Sequence, residues 1–195
     1  MKTLALFDFD GTITTKDTFP LFFKFAFGPL RFYLGFSLFL PYFFLHKLSL
    51  FDGETFKIKL LSFYLKGKQR QWIEKTGSDF INQLHTKNII KTDFLGKINA
   101  YSAAGADVVV VSASPDAWVK AFCEKHGIQY LCTQLAYSND IYTGKLIGNN
   151  CNGPEKKNRI LKAFDLSSYS HIIVFGDSKV GDKEMMELAT EQNWV

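Results

Sequence analysis

The sequence predicts an α/β protein: a doubly wound, mostly parallel sheet carrying one long helical insertion. Three observations lead there. Short strand-type runs, Leu4–Phe7, Asp107–Val111 and Ile172–Phe175, recur along the chain, with helical patterns between them. Two of these runs end abruptly in acids, Asp8-Phe9-Asp10-Gly11-Thr12 and Gly176-Asp177-Ser178 with Asp182. Buried strands that stop in this way deliver carboxylates to the carboxyl edge of a sheet, where open α/β folds bind ligands. Third, residues 13 to about 90 hold several helical stretches and no convincing strand.

The elements follow in order. Val108-Val109-Val110-Val111 is β-branched throughout, as befits a strand buried on both faces. Ser112-Ala113-Ser114-Pro115 then reads as a helix start. Asp116 to His126 places Ala117, Trp118, Ala121 and Phe122 at helical spacing, and Gly127 is a C-terminal stop. Gln129 to Leu135 reads as a further strand and Ile141 to Leu146 as part of a hairpin. Gly153-Pro154 opens a helix running through Phe164. The insertion, punctuated by Gly28-Pro29, Pro41, Asp52-Gly53 and Gly67, leaves the chain beside the acid-bearing edge and is placed to act as a lid. The expected division is therefore a core of residues 1–12 and 91–195 and a helical unit of residues 13–90.

Composition narrows the function classes. At 195 residues with 47% hydrophobic and 22% charged side chains, the chain is that of a folded globular protein. Its net charge of +4 is too mild to imply nucleic acid. The charge is unevenly spread: Ile13 to Ile90 carries 11 basic and 5 acidic residues, and the remainder 12 and 14. A basic insertion beside an acidic core suits a phosphate-bearing ligand. Cys123, Cys132 and Cys151 lack metal-ligand or disulfide spacing and fit a reducing compartment. Met1-Lys2-Thr3 runs at once into a strand and does not read as a signal peptide, so a cytoplasmic setting is expected.

Phe19 to Phe51 contains 11 of the 20 phenylalanines, with Tyr33 and Tyr42. Its uncharged run, Phe32 to His46, is shorter than the roughly 20 residues a spanning helix needs. Arg31 and Lys47 flank the run and Pro41 breaks it. Two readings remain: a helical hairpin packed inside the insertion, which is favoured, or an aromatic surface making peripheral contact with a membrane through residues 19–51.

The acids themselves suggest phosphoryl transfer. Asp8, at a strand tip, is placed to attack phosphorus, splitting one difficult step into two through an aspartyl-phosphate. Asp10 can protonate the leaving oxygen and later activate water. Gly11 permits the sharp turn, and Thr12 is expected to hold Asp10 by a local hydrogen bond. Ser112 and nearby backbone N–H groups can hold a phosphoryl oxygen, and Lys156, with Lys157 as second choice, can supply the opposing positive charge. Asp177 is expected to ligate a divalent cation with support from Asp182. Clustered carboxylates without nearby His or Cys suit Mg²⁺.

The order of these segments resembles the haloacid dehalogenase (HAD) superfamily, within it the phosphoserine-phosphatase-like subfamily IB. The resemblance runs almost end to end: Asp8-Phe9-Asp10-Gly11-Thr12, Lys16-Asp17-Thr18, Val111-Ser112-Ala113-Ser114-Pro115, Tyr142-Thr143-Gly144, Cys151-Asn152-Gly153-Pro154-Glu155-Lys156 and Gly176-Asp177-Ser178. It implies a Rossmann-like, HAD-like core, an inserted helical cap of the C1 type and Mg²⁺-dependent phosphatase activity on a small phosphate ester. It further implies Asp8 as nucleophile, Asp10 as acid/base, and Ser112, Ala113, Thr12 and Lys156 around the phosphate. Asp8, Asp177, Asp182 and the Asp10 backbone carbonyl would surround the metal. Two departures stand out. Four residues separate Asp177 from Asp182 where close relatives often have three. Asp17 replaces the Glu with which phosphoserine phosphatases hold substrate, which argues against phosphoserine while leaving Asp17 a candidate substrate contact.

Other functions fit less well. A dehalogenase needs neither Asp10 nor metal acids, a receiver-type switch would lack the insertion, and a silent scaffold would not retain every acid. A phosphotransferase would use the same residues. The apolar stretch also suits a phosphatidylglycerophosphate-type lipid phosphatase at a membrane surface, as an alternative to a soluble ester.

Overall fold

The computed structural model describes residues 2–41 and 53–195. Residues 42–52, and with them the end of the phenylalanine-rich stretch, lie outside the described residues. Six strands form one sheet in the order β4-β3-β2-β1-β5-β6. They are β1 (Thr3–Phe7), β2 (Asp107–Pro115), β3 (Gln129–Ser138), β4 (Ile141–Ile147), β5 (His171–Gly176) and β6 (Glu191–Trp194). All neighbours are parallel except β3 and β4, joined by a hairpin whose two turn residues, Asn139 and Asp140, both have positive φ. That backbone matches the twist of the flanking strands, and Asn and Asp tolerate it. The expected mostly parallel α/β sheet is therefore present, with β3 longer than expected and β6 added at the edge.

The sheet is central because its strands are apolar on both faces. On one side Leu4, Leu6, Val109, Val111, Ile172 and Val174 pack with Ile160, Met185 and Met186. On the other, Ala5, Phe7, Val108, Val110, Ile173 and Phe175 meet Phe94, Ile98, Trp118 and Phe122. The period-two alternation of strand side chains sorts the residues this way. Phe7 and Phe175, opposite one another on β1 and β5, stack at 4.6 Å between ring centroids. Burying each such ring contributes about 1.5–3 kcal/mol.

The helices are α1 (Thr18–Phe27), α2 (Pro29–Ser37), α3 (Gly53–Leu65), α4 (Arg70–Thr86), α5 (Thr92–Ala103), α6 (Asp116–His126), α7 (Pro154–Ala163) and the short α8 (Lys183–Met186). Gly127 ends α6 in the left-handed conformation, and Pro154 opens α7. Helices α1 to α4 occupy the stretch between the first acids and β2. The chain leaves and returns side by side: Thr14 and Ile90 form an antiparallel bridge, and Lys91 donates its backbone N–H to the Ile13 carbonyl at 2.9 Å.

These helices share the apolar cluster of the sheet. Phe22 stacks on Trp118 at 4.5 Å, and Phe22, Phe23 and Phe80 are buried with it. Part of the phenylalanine-rich stretch is thus packed core. Its α2 segment also leaves Leu30, Tyr33 and Leu34 exposed, as is Leu38 just beyond it. Among the described residues no helix is long and apolar enough to cross a membrane.

Candidate active site

Asp8 follows β1 directly, and its backbone N–H donates to the Phe175 carbonyl at 2.9 Å, so the sheet ladder fixes it in place. The residue is buried, 6% exposed. Three residues on, Gly11 turns the chain with φ +80°, and a Cβ there would fall 2.0 Å from Asp177 Oδ2. Glycine is required both by that backbone and by the close approach of the two acid segments. Asp177 and Asp182 come from the loop after β5. Asp182 is tied back when its carboxylate accepts the Ser178 N–H at 3.0 Å, so four intervening residues still bring it inward. It is 1% exposed, whereas Asp177 is exposed.

Lys156, on the first turn of α7, lies between two of these acids. Its Nζ donates to Asp8 Oδ1 and Asp182 Oδ1, each at 2.5 Å, and the residue is 2% exposed. Burial opposes its charge, but the carboxylates of Asp8 and Asp182 outweigh burial and hold the ammonium protonated well beyond the usual lysine range. Burial pushes the Asp8 carboxyl up, Lys156 opposes that, and the Asp182 charge adds to it. Lys157 instead pairs with Glu187 at the surface.

Sequence reasoning placed Thr12 on Asp10. The structure differs: the Thr12 hydroxyl donates to Asp8 Oδ2 at 3.4 Å. The turn at Gly11 sends Thr12 back towards the strand tip while Asp10 projects the other way. Asp10 is held by groups to which the sequence reading gave no part. Thr18 donates its backbone N–H and its hydroxyl to Asp10 Oδ1, both at 2.6 Å, and the Ser114 hydroxyl donates to Oδ2 at 2.5 Å. Trp118 Nε1 in turn donates to the Thr18 hydroxyl at 2.9 Å. The only signal for these residues was the presence of Thr18 and Ser114 inside recognised segments. Ser112, within β2, is buried, and its Oγ accepts the Ser114 N–H at 2.9 Å.

A cavity of about 140 Å³ brings together Asp8, Asp10, Ser112, Ala113, Lys156, Asp177 and Asp182. Asp17 is not in it. As N-cap of α1 it accepts the Phe19 N–H at 2.9 Å and faces a larger pocket on the far side of Asp10. Carboxylate oxygens of Asp8, Asp177 and Asp182 lie within 4.8 Å of one another. These three carboxylates face the single Lys156 ammonium, so a divalent cation matches the remaining charge, and all-oxygen donors suit a hard ion.

Comparison with known proteins accords with this arrangement. A sequence model of the haloacid dehalogenase-like hydrolase family matches residues 5–187. Protein CicA of Caulobacter vibrioides is 33% identical over 195 residues, covering 98% of this chain and 85% of that one. Among solved structures, a protein of unknown function from Bordetella pertussis Tohama I superposes with a TM-score of 0.81 at 19% identity, over 98% of this chain and 89% of its own. A phosphoserine phosphatase determined as a phospho-aspartyl intermediate analogue superposes with a TM-score of 0.65 at 21% identity, over 98% and 85%. Family match and relative together place this chain among the haloacid dehalogenase-like hydrolases.

Proposed function

We propose that this protein is a Mg²⁺-dependent phosphomonoester phosphatase that works through an aspartyl-phosphate on Asp8. The observation that carries the reading is the pairing of two differently held acids two residues apart. Asp8 is fixed at the strand tip against Lys156, and Asp10 is turned to the opposite side by Thr18 and Ser114. The phospho-aspartyl analogue named for the phosphoserine phosphatase neighbour supports the same chemistry.

In this reading a carboxylate oxygen of Asp8 attacks phosphorus in line with the ester bond. The phosphorus–alcohol bond breaks as Asp10, as its carboxylic acid, gives its proton to the departing oxygen. Water then attacks the phosphoryl group and gives a proton to the Asp10 carboxylate. The bond to Asp8 breaks and inorganic phosphate leaves. Lys156 and the Ser112 hydroxyl neutralise and orient the phosphoryl oxygens, and Thr12 steadies Asp8. Asp8, Asp177 and the Asp10 backbone carbonyl would hold Mg²⁺, with Asp182 supporting. The ion would supply positive charge opposite the phosphate and a Lewis acid for its oxygens. The three free buried cysteines fit a reducing, cytoplasmic setting for this activity.

The test is phosphate release from a panel of phosphomonoesters with Mg²⁺ and with EDTA. Release that EDTA abolishes is expected, and EDTA-resistant release, or none from the folded protein, would refute the reading. Adding alcohols to the same assay detects transfer to an acceptor other than water.

A further inference from the structure

On the leaving-group side of Asp10 the structure opens into a second cavity, of about 480 Å³, whose character bears on the substrate. Three helices build its walls. Phe19 and Pro20 come from α1, Phe32 and Phe36 from α2, and Phe56 and Leu60 from α3. The last two pairs are spaced i, i+4, which places both members of each on one helix face. Its polar groups are Asp10, Asp17, Lys57 and Ser114, and each already has a partner. The Ser114 hydroxyl is given to Asp10, and Asp17 accepts the Phe19 N–H. The Lys57 ammonium donates to the Ala113 carbonyl at 2.5 Å and lies 5.2 Å from the centre of the Phe19 ring. Burial works against its charge and pushes its pKa down, and Asp10 and Asp17 oppose that only in part.

We infer, on the basis of the phosphatase reading above, that the substrate is a phosphomonoester whose alcohol carries an uncharged apolar body seated in this cavity. The polar groups of the floor are hydrogen-bonded within the protein, and the walls that make up most of the lining are aromatic and aliphatic. A leaving group bearing an ammonium and a carboxylate would lose hydration against Phe32, Phe36 and Phe56 with little to replace it. A hydrocarbon or aryl body loses nothing there and covers apolar wall that otherwise faces water. The same chemistry occurs in a soluble alkyl or aryl phosphate and in a lipid with a terminal phosphate.

The experiment measures kcat/KM on the wild-type protein for ethyl, butyl, hexyl and octyl phosphate below micelle-forming concentrations. Naphthyl phosphate, phosphoserine and a diacylglycerol phosphate in detergent micelles complete the set. The expected result is a rise of about fourfold per methylene, the fold-change equivalent to ~0.8 kcal/mol per buried CH₂, levelling once the cavity is filled. If the micellar lipid exceeds octyl phosphate, the apolar body is a lipid's. If octyl or naphthyl phosphate remains best, it is a soluble ester's; either result supports the inference. A flat or falling series, or phosphoserine ahead of butyl phosphate, overturns it while leaving the phosphatase reading intact. Release from no ester at all refutes the phosphatase reading, and the inference with it. As a second check, Phe56→Ser, with folding verified by circular dichroism, lowers the octyl-to-ethyl ratio by about tenfold. An unchanged ratio would remove Phe56 from the binding wall and count against the inference.

Discussion

Two helical glycines carry opposite predictions, and the pair tests how α4 sits on α6. A Cβ added at Gly77, within α4, would lie 1.6 Å from the Ala117 carbonyl oxygen and 2.7 Å from its carbon. Ordinary contact begins at 3.4 Å, so α4 and α6 must part by about 2 Å, disturbing the Phe80–Trp118 contact. Helix propensity alone would reward Gly77→Ala by about 1 kcal/mol. Overpacking against a backbone carbonyl costs about 1–3 kcal/mol and wins here, because backbone cannot rotate away as a side chain can. A net loss of up to about 2 kcal/mol is expected. Gly96, in α5, is exposed and has nothing within 4 Å of its added Cβ, so Gly96→Ala should gain about 0.5–1 kcal/mol. Urea unfolding followed by Trp fluorescence, with midpoints compared at unchanged slope, reads both variants. A Gly77→Ala protein as stable as Gly96→Ala would refute the close approach of α4 to Ala117.

Asp10→Asn should lower turnover of alkyl phosphates by about 10²–10⁴-fold. With p-nitrophenyl phosphate, whose phenolate leaves without a proton, a burst of product should precede slow turnover. Equal losses on both esters with no burst would deny Asp10 its acid role. Lys156→Met should cut kcat/KM by about 10²–10³-fold. It should also destabilise the apo protein by about 3–5 kcal/mol in urea unfolding, since Asp8 and Asp182 would be left buried without their cation; stability unchanged from wild type would contradict the buried pairing. Burial, outweighing the Leu135 and Ala117 N–H groups, pushes the Asp116 carboxyl up to about 6. The folded state then holds the proton that the unfolded chain releases near pH 4, so stability from this group falls as pH rises from about 4 to 6 and is level above. The fall is on the order of 2 kcal/mol after allowing for water around a half-buried group. Asp116→Asn should remove it in unfolding curves taken at pH 4 and pH 7, and an identical pH dependence in the two proteins would contradict the assignment.

The strands that matter most were legible because they are buried on both faces. Leu4–Phe7, the four valines and Ile172–Phe175 have no other plausible place than a central sheet, and their order with the acids revealed the site. Strand β6 was not legible. Glu191-Gln192-Asn193-Trp194 has no apolar alternation, and it is a strand because β5 offers an unpaired edge to it. The partners of Asp10 escaped for a related reason. Thr18 reaches it only because the chain reverses between them, and Ser114 only because β2 runs parallel to β1 and ends beside it. Thr12, by contrast, was assigned to the wrong acid, because spacing along the chain cannot show which way a glycine turn throws its neighbours. Lys57 gave no sequence signal at all, one lysine among 11 basic residues of the insertion.

The central claim is that Asp8 carries the phosphoryl group, and acid-quenched turnover followed by peptide mass spectrometry tests it most directly. The account predicts one phosphoryl mass on the Asp8 peptide of the wild-type protein. It predicts none on a folded Asp8→Asn variant, which should release no phosphate. A phosphoryl group found elsewhere, or sustained phosphate release by Asp8→Asn, would contradict it.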